Sequence, residues 1–391
     1  MKQTAGWIAI LAVLAICFEI IAFAVVSLVP QFQQFTYRTP EVTQKRYETY
    51  MAERDPLLGW PGKSFLEKRA DDQGARISPV NDAFGPDAPA CISVYGDSFA
   101  YSAEVEPKDA WANVLADRRG CRVNNFGVGG FGADQAVLRL ERHLEEGQDV
   151  GDTLILTLYP DNLNRHMNQW RNLLTGQPLS FKPAFRVDET SEVVLEPIFD
   201  GDYETFLKLV EDPAAYLPAE RYLPDAPGLS RMKRVGLPYS VAFTRLLLSQ
   251  IQSFRGFDTD GRASFYNYPG FYDTPEGASD EKKAVATHII RRFAVLCEEH
   301  NKTCAFVITP EPDSVFQRVQ KGKHDLRDWL EAAASDLIFL DGTDIFTDME
   351  DVCAHVSRPE ECSGHYNATG YARLAEFVDL GLRVGERHKK R

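Results

Sequence analysis

Polar residues that could together carry out acyl transfer stand where apolar runs of this sequence end. In chain order they are Ser98, Gly130, Asn162 and His365. A serine hydroxyl can attack a carbonyl carbon, and a histidine can accept the serine proton. A backbone amide in a glycine-rich turn and an asparagine side chain can bind the oxyanion that forms. These residues therefore indicate an acyl-transfer site, with Ser98 as nucleophile, His365 as base, and Gly130 and Asn162 as oxyanion donors.

The elements that must hold these residues are predicted strands and helices in alternation. Apolar runs predict strands over 91–95, 153–159, 304–309 and 337–341, and a further short strand is predicted over 122–126. Helical spacing of apolar residues predicts helices over 110–117, 134–144, 284–299, 325–335 and 368–384. Such strands form a parallel sheet covered by helices on both faces, with ligands bound at the carboxyl ends of the strands. The sequence thus predicts an α/β fold in which the candidate residues converge at one sheet edge.

The N-terminal region is apolar enough to enter a membrane. Residues 7–29, WIAILAVLAICFEIIAFAVVSLV, exceed the ~20 residues that span a bilayer core. Glu19 would cost about 2.5–3.5 kcal/mol at mid-membrane, so we expect it to be protonated or paired with another helix, for example in a membrane-protein partner. A cleaved signal peptide ending at Ala22-Phe23-Ala24 is the alternative, but apolar residues continue to Val29. We favour an uncleaved single-pass anchor with Lys2 inside and the remaining chain outside.

The cysteines indicate an oxidising compartment outside the cytoplasm. Cys17 lies in the apolar run, and the other six are Cys91, Cys121, Cys297, Cys304, Cys353 and Cys362. Six cysteines can pair in 15 ways, so counting leaves the connectivity open. Local context favours the pairs Cys297–Cys304, Cys353–Cys362 and Cys91–Cys121, while six buried free thiols are the alternative. No cysteine or histidine spacing predicts zinc, and we expect no metal or cofactor.

Composition limits the possible partners and domains. The chain has 391 residues, a net charge of −14 and a pI of about 5.1, which argues against nucleic-acid binding. The length suits one large domain with an insertion, or two modest domains. We predict a signal anchor (1–30), a stem and entry segment (31–88), a first core part (89–166), a cap-like insertion (167–283) and a second core part (284–391).

The predicted insertion is rich in aromatic residues that could stack on sugar rings. They are Trp170, Phe181, Phe185, Tyr216, Tyr222, Tyr266, Tyr268, Phe271 and Tyr272. The insertion leaves the third predicted strand beside the candidate site, so we expect it to cover the carboxyl edge of the sheet. Aromatic faces suit a glycan, although burial in a minor core is the alternative.

Four motifs in order resemble the blocks of the SGNH (GDSL-type) hydrolases. VYGDSFAYS is similar to the first block, VNNFGVGGFG to the second, LTLYPDNLNRH to the third and GHYNATGY to the fifth. The resemblance implies a three-layer α/β/α sandwich, flavodoxin-like in strand order. It also implies Ser98 as nucleophile with its own amide as an oxyanion donor, Gly130 and Asn162 as further donors, and His365 as base.

The third block departs from the family pattern of Gly-x-Asn-Asp. Here Tyr159 replaces the glycine, and the last two residues are reversed as Asp161-Asn162. Asp161 could therefore occupy the donor position, where a carboxylate would repel an oxyanion.

The fifth block lacks the acid that the family has three residues before its histidine. Cys362 stands in that position relative to His365. Either Glu361 or a more distant carboxylate, Asp341 or Asp344, is expected to orient His365, or the enzyme works with a serine–histidine pair.

The sequence therefore predicts an extracytoplasmic serine ester hydrolase or O-acyl (acetyl) transferase that acts on an acylated glycan or small ester. The patch DPLLGW and the segment NRHMNQWR resemble a membrane-anchored bacterial subgroup associated with surface polysaccharides. The alternative is an inactive carbohydrate-binding or assembly protein with the same fold. A dinucleotide site at Gly127-x-Gly129-x-x-Gly132 is disfavoured, because this motif follows the second predicted strand and lacks the acidic residue about 20 positions later.

Overall fold

A five-stranded parallel sheet forms the centre of the fold. The computed structural model describes residues 2–29, 36–85, 88–224, 226, 233–244, 247, 278–321 and 325–389. The central strands are β2 (Ala90–Tyr95), β3 (Arg122–Asn125), β4 (Thr153–Leu158), β8 (Thr303–Ile308) and β9 (Ile338–Asp341). Their order is β3-β2-β4-β8-β9, and every pairing is parallel. The predicted α/β fold with a central parallel sheet is therefore confirmed.

The remaining strands form three short pairs. They are β1 (Thr36–Tyr37) with β7 (Lys233–Arg234), β5 (Ala184–Val187) with β6 (Val193–Glu196), and β10 (Val356–Arg358) with β11 (Ser363–Tyr366). The β5–β6 and β10–β11 pairs are antiparallel. No helical or strand periodicity in the sequence predicted the β10–β11 hairpin, which carries His365.

In the sequence, the described helices precede, connect and follow the strands of the central sheet. In the first half they are α1 (Lys2–Leu28), α2 (Gln44–Glu53), α3 (Lys63–Arg69), α4 (Pro79–Phe84), α5 (Ser98–Tyr101), α6 (Trp111–Arg119), α7 (Ala133–Glu145) and α8 (Asn162–Arg165). In the second half they are α9 (Asn172–Thr175), α10 (Tyr203–Glu211), α11 (Ala278–Glu299), α12 (Pro312–Lys321), α13 (Asp325–Ala333), α14 (Met349–Ala354) and α15 (Ala368–Lys389). Short 3₁₀ turns cover Pro107–Asp109, Pro213–Ala215, Gly342–Ile345 and Pro359–Glu361.

Strand order explains why the candidate residues meet. Every residue of β4 is buried, as expected for a central parallel strand that is covered on both faces. Counted along the chain, the five central strands are arranged 2-1-3-4-5, which is the flavodoxin-like order. In this order the switch point lies between β2 and β4, whose ends carry Ser98 and Asn162.

Internal contacts divide the chain into two units. The first contains Met1–Glu48, Asn168–Phe181 and Phe199–Asp280, and the second contains Thr49–Met167, Lys182–Ile198 and Glu281–Arg391. The packing thus follows other boundaries than the predicted ones. Part of the predicted stem belongs to the sheet-containing unit because Asn81 makes two hydrogen bonds with the backbone of Val123. Arg76 also donates to the carbonyl of Val105 at 2.8 Å.

Three disulfides are formed by the pairs that local context favoured. They are Cys91–Cys121, Cys297–Cys304 and Cys353–Cys362, with Cα–Cα distances of 6.1, 6.2 and 4.5 Å. Cys17 is exposed and free. Disulfides persist in oxidising compartments, so they support a location outside the cytoplasm.

One described helix is long and apolar enough, by length and composition, to cross a membrane. It covers Gly6–Leu28, with a mean hydropathy of 2.9. Within the first unit, Glu19 accepts hydrogen bonds from the backbone N–H groups of Tyr239, at 2.6 Å, and Ser240, at 3.2 Å. Glu19 therefore finds donors in its own chain, and a partner protein at this position stays a prediction.

Of the nine aromatic residues named for the predicted insertion, the structure describes five, and four of these are buried. Trp170 and Phe181 are fully buried and stack on each other, with ring centroids 5.5 Å apart. Phe185 and Tyr222 are also buried. The expectation that these residues offer open faces to a glycan is wrong for Trp170 and Phe181, because each ring is enclosed in a small core. Tyr266, Tyr268, Phe271 and Tyr272 lie outside the described residues.

Candidate active site

Ser98 is held in a tight turn directly after β2. A Cβ at Gly96 would lie 2.0 Å from Oγ1 of Thr157 and 2.9 Å from Cβ of Ala100, so the turn can pack here only with glycine. The next residue, Asp97, caps α5, because its Oδ1 accepts a hydrogen bond from the Phe99 N–H at 2.8 Å. Ser98 is thus the first residue of α5, with its side chain at the carboxyl end of the sheet.

His365 lies against Ser98. Its Nε2 is 2.8 Å from Oγ of Ser98, a distance that fits donation of the serine hydroxyl to a neutral imidazole. The Phe99 ring packs beside the imidazole, with centroids 4.9 Å apart. The structure therefore brings together the predicted nucleophile and the predicted base, which are 267 positions apart in the sequence.

Glu104 completes this chain of hydrogen bonds, and the sequence did not point to it. Its Oε1 is 3.1 Å from Nδ1 of His365. Partial burial opposes ionisation of this carboxyl, but hydrogen bonds from Ser357 and His365 outweigh burial and lower the pKa of Glu104. Glu104 and Ser102 both have left-handed backbone conformations, with φ of 67° and 62°. Non-glycine residues rarely adopt this conformation, so the turn after α5 stores strain that places the carboxylate.

None of the acids expected from the sequence contacts His365. Glu361 accepts a hydrogen bond from Ser363 Oγ at 3.2 Å and pairs with Arg358. Asp341 caps a 3₁₀ turn by accepting from the Thr343 N–H at 2.9 Å. Asp344 pairs with Arg318 and Arg327, each at 3.7 Å. The expectation that Glu361, Asp341 or Asp344 orients His365 is therefore wrong. The carboxylate beside the imidazole is that of Glu104, because the turn after α5 comes closer to the β10–β11 hairpin.

The loop that contains Gly130 adjoins the serine turn. The Val128 N–H donates to the carbonyl of Gly96 at 3.0 Å. Gly130 has a φ of +80°, which favours glycine. In the part of the chain that the structure describes, the N–H groups of Ser98 and Gly130 have no hydrogen-bond acceptor. Two unpaired amides thus remain available for an oxyanion.

The side chain of Asn162 makes a different contact from the one expected. Asn162 is fully buried, and its Nδ2 donates to Oδ2 of Asp97 at 2.8 Å and lies 3.5 Å from the carbonyl of Phe131. Asp161 accepts from Nε of Arg165 at 2.8 Å. The role of Asn162 as an oxyanion donor stays a prediction, because its Nδ2 would have to break the hydrogen bond to Asp97 before it could donate to an oxyanion.

A buried polar cluster lies at the end of β4. Lys182 is fully buried and pairs with Asp134 at 2.5 Å. Nε2 of His166 accepts from the Ala133 N–H at 3.1 Å, and burial lowers the pKa of His166 to about 4. Burial opposes the charge on Arg165, but Asp161 and Asp97 outweigh it and raise the pKa of this guanidinium. These groups hold the strand end and its loop together.

The glycine-rich segment serves close packing in this structure. A Cβ at Gly127 would lie 2.3 Å from the backbone N of Tyr101. The Gly127 N–H donates to Oδ1 of Asn125 at 3.0 Å, and the Gly132 N–H to Oε1 of Gln135 at 3.3 Å. Two of the amides that a dinucleotide phosphate would need are therefore already bonded. Among the described residues, no group of three or more His, Cys, Asp or Glu side chains could hold a metal ion.

Comparison with solved structures gives distant structural likenesses, one of which is described here. No family model matches the sequence, and no curated protein matches it. A solved structure named as a candidate lipolytic protein of the G-D-S-L family from Desulfitobacterium hafniense is 11% identical, with a TM-score of 0.35, and covers 75% of this chain and 99% of its own. At this TM-score the likeness carries no argument, so the functional assignment rests on the site.

Proposed function

We propose that this chain is a serine ester hydrolase or O-acyltransferase of the SGNH (GDSL-type) class. The observation that carries the proposal is the connected series from Ser98 Oγ to His365 Nε2, at 2.8 Å, and from His365 Nδ1 to Glu104 Oε1, at 3.1 Å. A nucleophile, a base and an orienting acid in this arrangement define a catalytic triad by geometry, whatever their order in the sequence.

The geometry suits a two-step reaction through an acyl-enzyme. His365 accepts the Ser98 proton while Oγ attacks the ester carbonyl, and Glu104 stabilises the imidazolium that forms. The amides of Ser98 and Gly130 bind the oxyanion of the tetrahedral intermediate. The intermediate then expels the alcohol, which takes the proton from His365. Water or a second hydroxyl then attacks the acyl-Ser98 ester and gives its proton to His365; the bond from the acyl carbon to Ser98 Oγ breaks, and Oγ takes the proton back from His365.

The acceptor in the second step decides between hydrolysis and transfer. Water yields a free acid, whereas a sugar hydroxyl yields a new ester, and the same triad serves both. Mass spectrometry of surface glycans from cells with and without the protein separates them. More acyl groups in its absence indicate an esterase, and fewer indicate a transferase.

The proposed location is the outer side of a membrane, with the chain held by one N-terminal helix. The apolar helix at Gly6–Leu28 and the three disulfides support this location. An acylated glycan is the proposed substrate because of the DPLLGW and NRHMNQWR segments, while a small ester remains the alternative. Trp170 gives the glycan no support, since it is fully buried.

Labelling with a fluorophosphonate probe tests the proposal directly. The full chain should be labelled, and Ser98→Ala should abolish labelling. Ser363→Ala is the matched control, because Ser363 lies two residues from His365 and its hydroxyl bonds only to Glu361 among the described residues. This variant should be labelled like the wild type. A folded chain that takes up no probe would instead support the alternative of a non-catalytic carbohydrate-binding or assembly protein.

A further inference from the structure

The DPLLGW segment, residues 55–60, forms a turn that is held against α7 by hydrogen bonds and an ion pair. Oδ1 of Asp55 accepts from the N–H groups of Leu57 and Leu58, each at 2.9 Å. From α7, Arg142 pairs with the Asp55 carboxylate at 2.9 Å, and Nε2 of Gln135 donates to the Leu58 carbonyl at 2.7 Å. Four polar contacts thus hold the backbone that precedes Trp60, so the direction of the indole is set by the fold.

This turn places the half-buried Trp60 on the glycine-rich loop. Its indole Nε1–H donates to the carbonyl of Gly129 at 3.0 Å. The ring meets Phe131 edge-on, with centroids 5.8 Å apart, and its Cζ2 would be 3.8 Å from a Cβ at Gly130. Trp60 is therefore in contact with the loop that carries the proposed oxyanion donor, 69 positions further along the chain.

The hydrogen bond acts on the peptide group that contains this donor. The carbonyl of Gly129 and the N–H of Gly130 belong to one planar trans peptide, so they point in opposite directions. Fixing the carbonyl toward Trp60 fixes the N–H toward the other side. With glycine on both sides of this peptide, few steric contacts of the loop itself oppose its rotation. The bond accepted by the carbonyl also polarises the peptide and makes its N–H a better donor.

We infer that Trp60 is a positioning residue that orients the Gly130 amide for the oxyanion. This inference rests on the proposed function, because it assigns Trp60 a role in the same transition state. Loss of one oxyanion donor lowers turnover by about 10²–10³. Loss of its orientation should cost less, about 10–100-fold in kcat, with KM changed by less than about threefold. Kinetic effects divide in this way when an interaction acts only in the transition state.

The test compares the full chain with Trp60→Phe, which keeps an aromatic ring and removes the indole N–H. Hydrolysis of p-nitrophenyl acetate gives kcat and KM, and inhibition by phenylboronic acid reports on the tetrahedral adduct. We expect kcat and boronic acid affinity to fall together. Replacement of Trp60 by β-(3-benzothienyl)alanine, which has the shape of tryptophan without the N–H, should give the same losses if Trp60→Phe unfolds.

Trp170→Phe is the matched control. The Trp170 indole also donates to a backbone carbonyl at 3.0 Å, that of Pro178, but in the first unit. This variant should lower thermal stability and leave kcat within about twofold of the wild type.

Three outcomes would overturn the inference. A wild-type kcat in Trp60→Phe would remove the positioning role. An increased KM with unchanged kcat would assign Trp60 to substrate binding instead. A wild-type chain that neither turns over the ester nor binds phenylboronic acid would overturn the proposed function itself, and with it the role of Trp60.

Discussion

The ends of β2 and β4 lie side by side in the sheet, yet their polar groups are used in opposite ways. After β2, Ser98 contacts His365, whose side chain is 25% exposed, and the Ser98 N–H has no acceptor among the described residues. After β4, Asn162 and Arg165 are buried and donate to Asp97, Asp161 and the loop carbonyl at Phe131.

This difference suggests a catalytic role for the residues at the end of β2 and a structural role for those at the end of β4. Nδ2 of Asn162 already donates to Asp97 and lies near the Phe131 carbonyl, as expected for a buried donor, so in this structure it is not free to donate to a substrate. A group with an unused donor or a partner that can exchange protons can act on a substrate. In the proposed function, catalysis therefore belongs to Ser98 at the end of β2 together with Glu104, Gly130 and His365. The end of β4 supports the turn that holds Ser98.

The largest expected effect comes from removing the nucleophile or the base. Ser98→Ala and His365→Ala should each lower kcat for p-nitrophenyl acetate by about 10⁴-fold or more. The double variant should be little worse than either single variant, because the two groups act as one unit. Additive losses, measured under the same conditions, would show that the 2.8 Å contact between them is not used in catalysis.

Glu104→Gln should have the next largest effect, about 10²–10⁴-fold in kcat, because the carboxylate that stabilises the imidazolium is lost. The side chain keeps its length, so KM and the melting temperature should change little. The anionic form of Glu104 is favoured, since hydrogen bonds from Ser357 and His365 outweigh burial and lower the pKa of this carboxyl. The wild type should therefore keep this contribution until acidic pH.

Glu361→Gln is the control for this prediction. Glu361 is exposed and bonds to Ser363 and Arg358, so its variant should keep wild-type kcat. If Glu361→Gln loses activity and Glu104→Gln does not, the acid that orients His365 is Glu361, as the sequence suggested, and not Glu104.

The contrast between Glu104 and the strands shows what the sequence can predict. Apolar runs predicted four of the five central strands, since a parallel strand that is buried on both faces needs such a run; the fifth, β3, has the sequence RVNN and was predicted only as a short strand. Ser98 was predicted from its place at a strand end, and His365 from its place before the last helix and the resemblance of GHYNATGY to the fifth SGNH block. Glu104 lies in an irregular turn without periodicity, and it meets His365 only through the β10–β11 hairpin, whose strands have three and four residues. Its one local signal is the left-handed backbone, which the sequence does not reveal.

Asn162 shows a second limit of sequence. Its position at the end of β4 was predicted, but the direction of its amide depends on the buried carboxylate of Asp97, which lies 65 positions earlier. A buried carboxylate needs hydrogen-bond donors, and Asn162 supplies one. Position follows from local patterns, whereas the direction of a side chain follows from its tertiary neighbours.

Asn162→Ala tests whether Asn162 stabilises the serine turn or binds the oxyanion. We expect the free energy of unfolding to fall by about 1–3 kcal/mol, since Asp97 loses a buried donor, and kcat to fall by about 10-fold through a looser serine turn. Urea unfolding and ester turnover measure the two effects. Unchanged stability with a loss of about 10²–10³ in kcat would place Asn162 in the oxyanion hole. Asp161→Ala, the reversed neighbour, should retain more activity than Asn162→Ala.

The smallest expected effect concerns the supporting region alone and appears only in acid. Burial lowers the pKa of His166 from 6.5 to about 4. Between these two pKa values His166 is protonated in the unfolded chain but neutral in the folded chain. The free energy of unfolding therefore keeps its full contribution from His166 above about pH 6.5 and loses it as the pH falls toward 4. The slope for one such group is about 1.4 kcal/mol per pH unit. His166→Gln, which can still accept from the Ala133 N–H, should remove this part of the slope in urea unfolding between pH 4.5 and 6.

Burial also lowers the pKa of His143, to about 3, and that contribution remains in both the wild type and His166→Gln. His300→Gln, at an exposed position, should leave the slope unchanged. Equal slopes in wild type and His166→Gln would show that His166 takes up its proton in the folded state, and the end of β4 would then be open to titration.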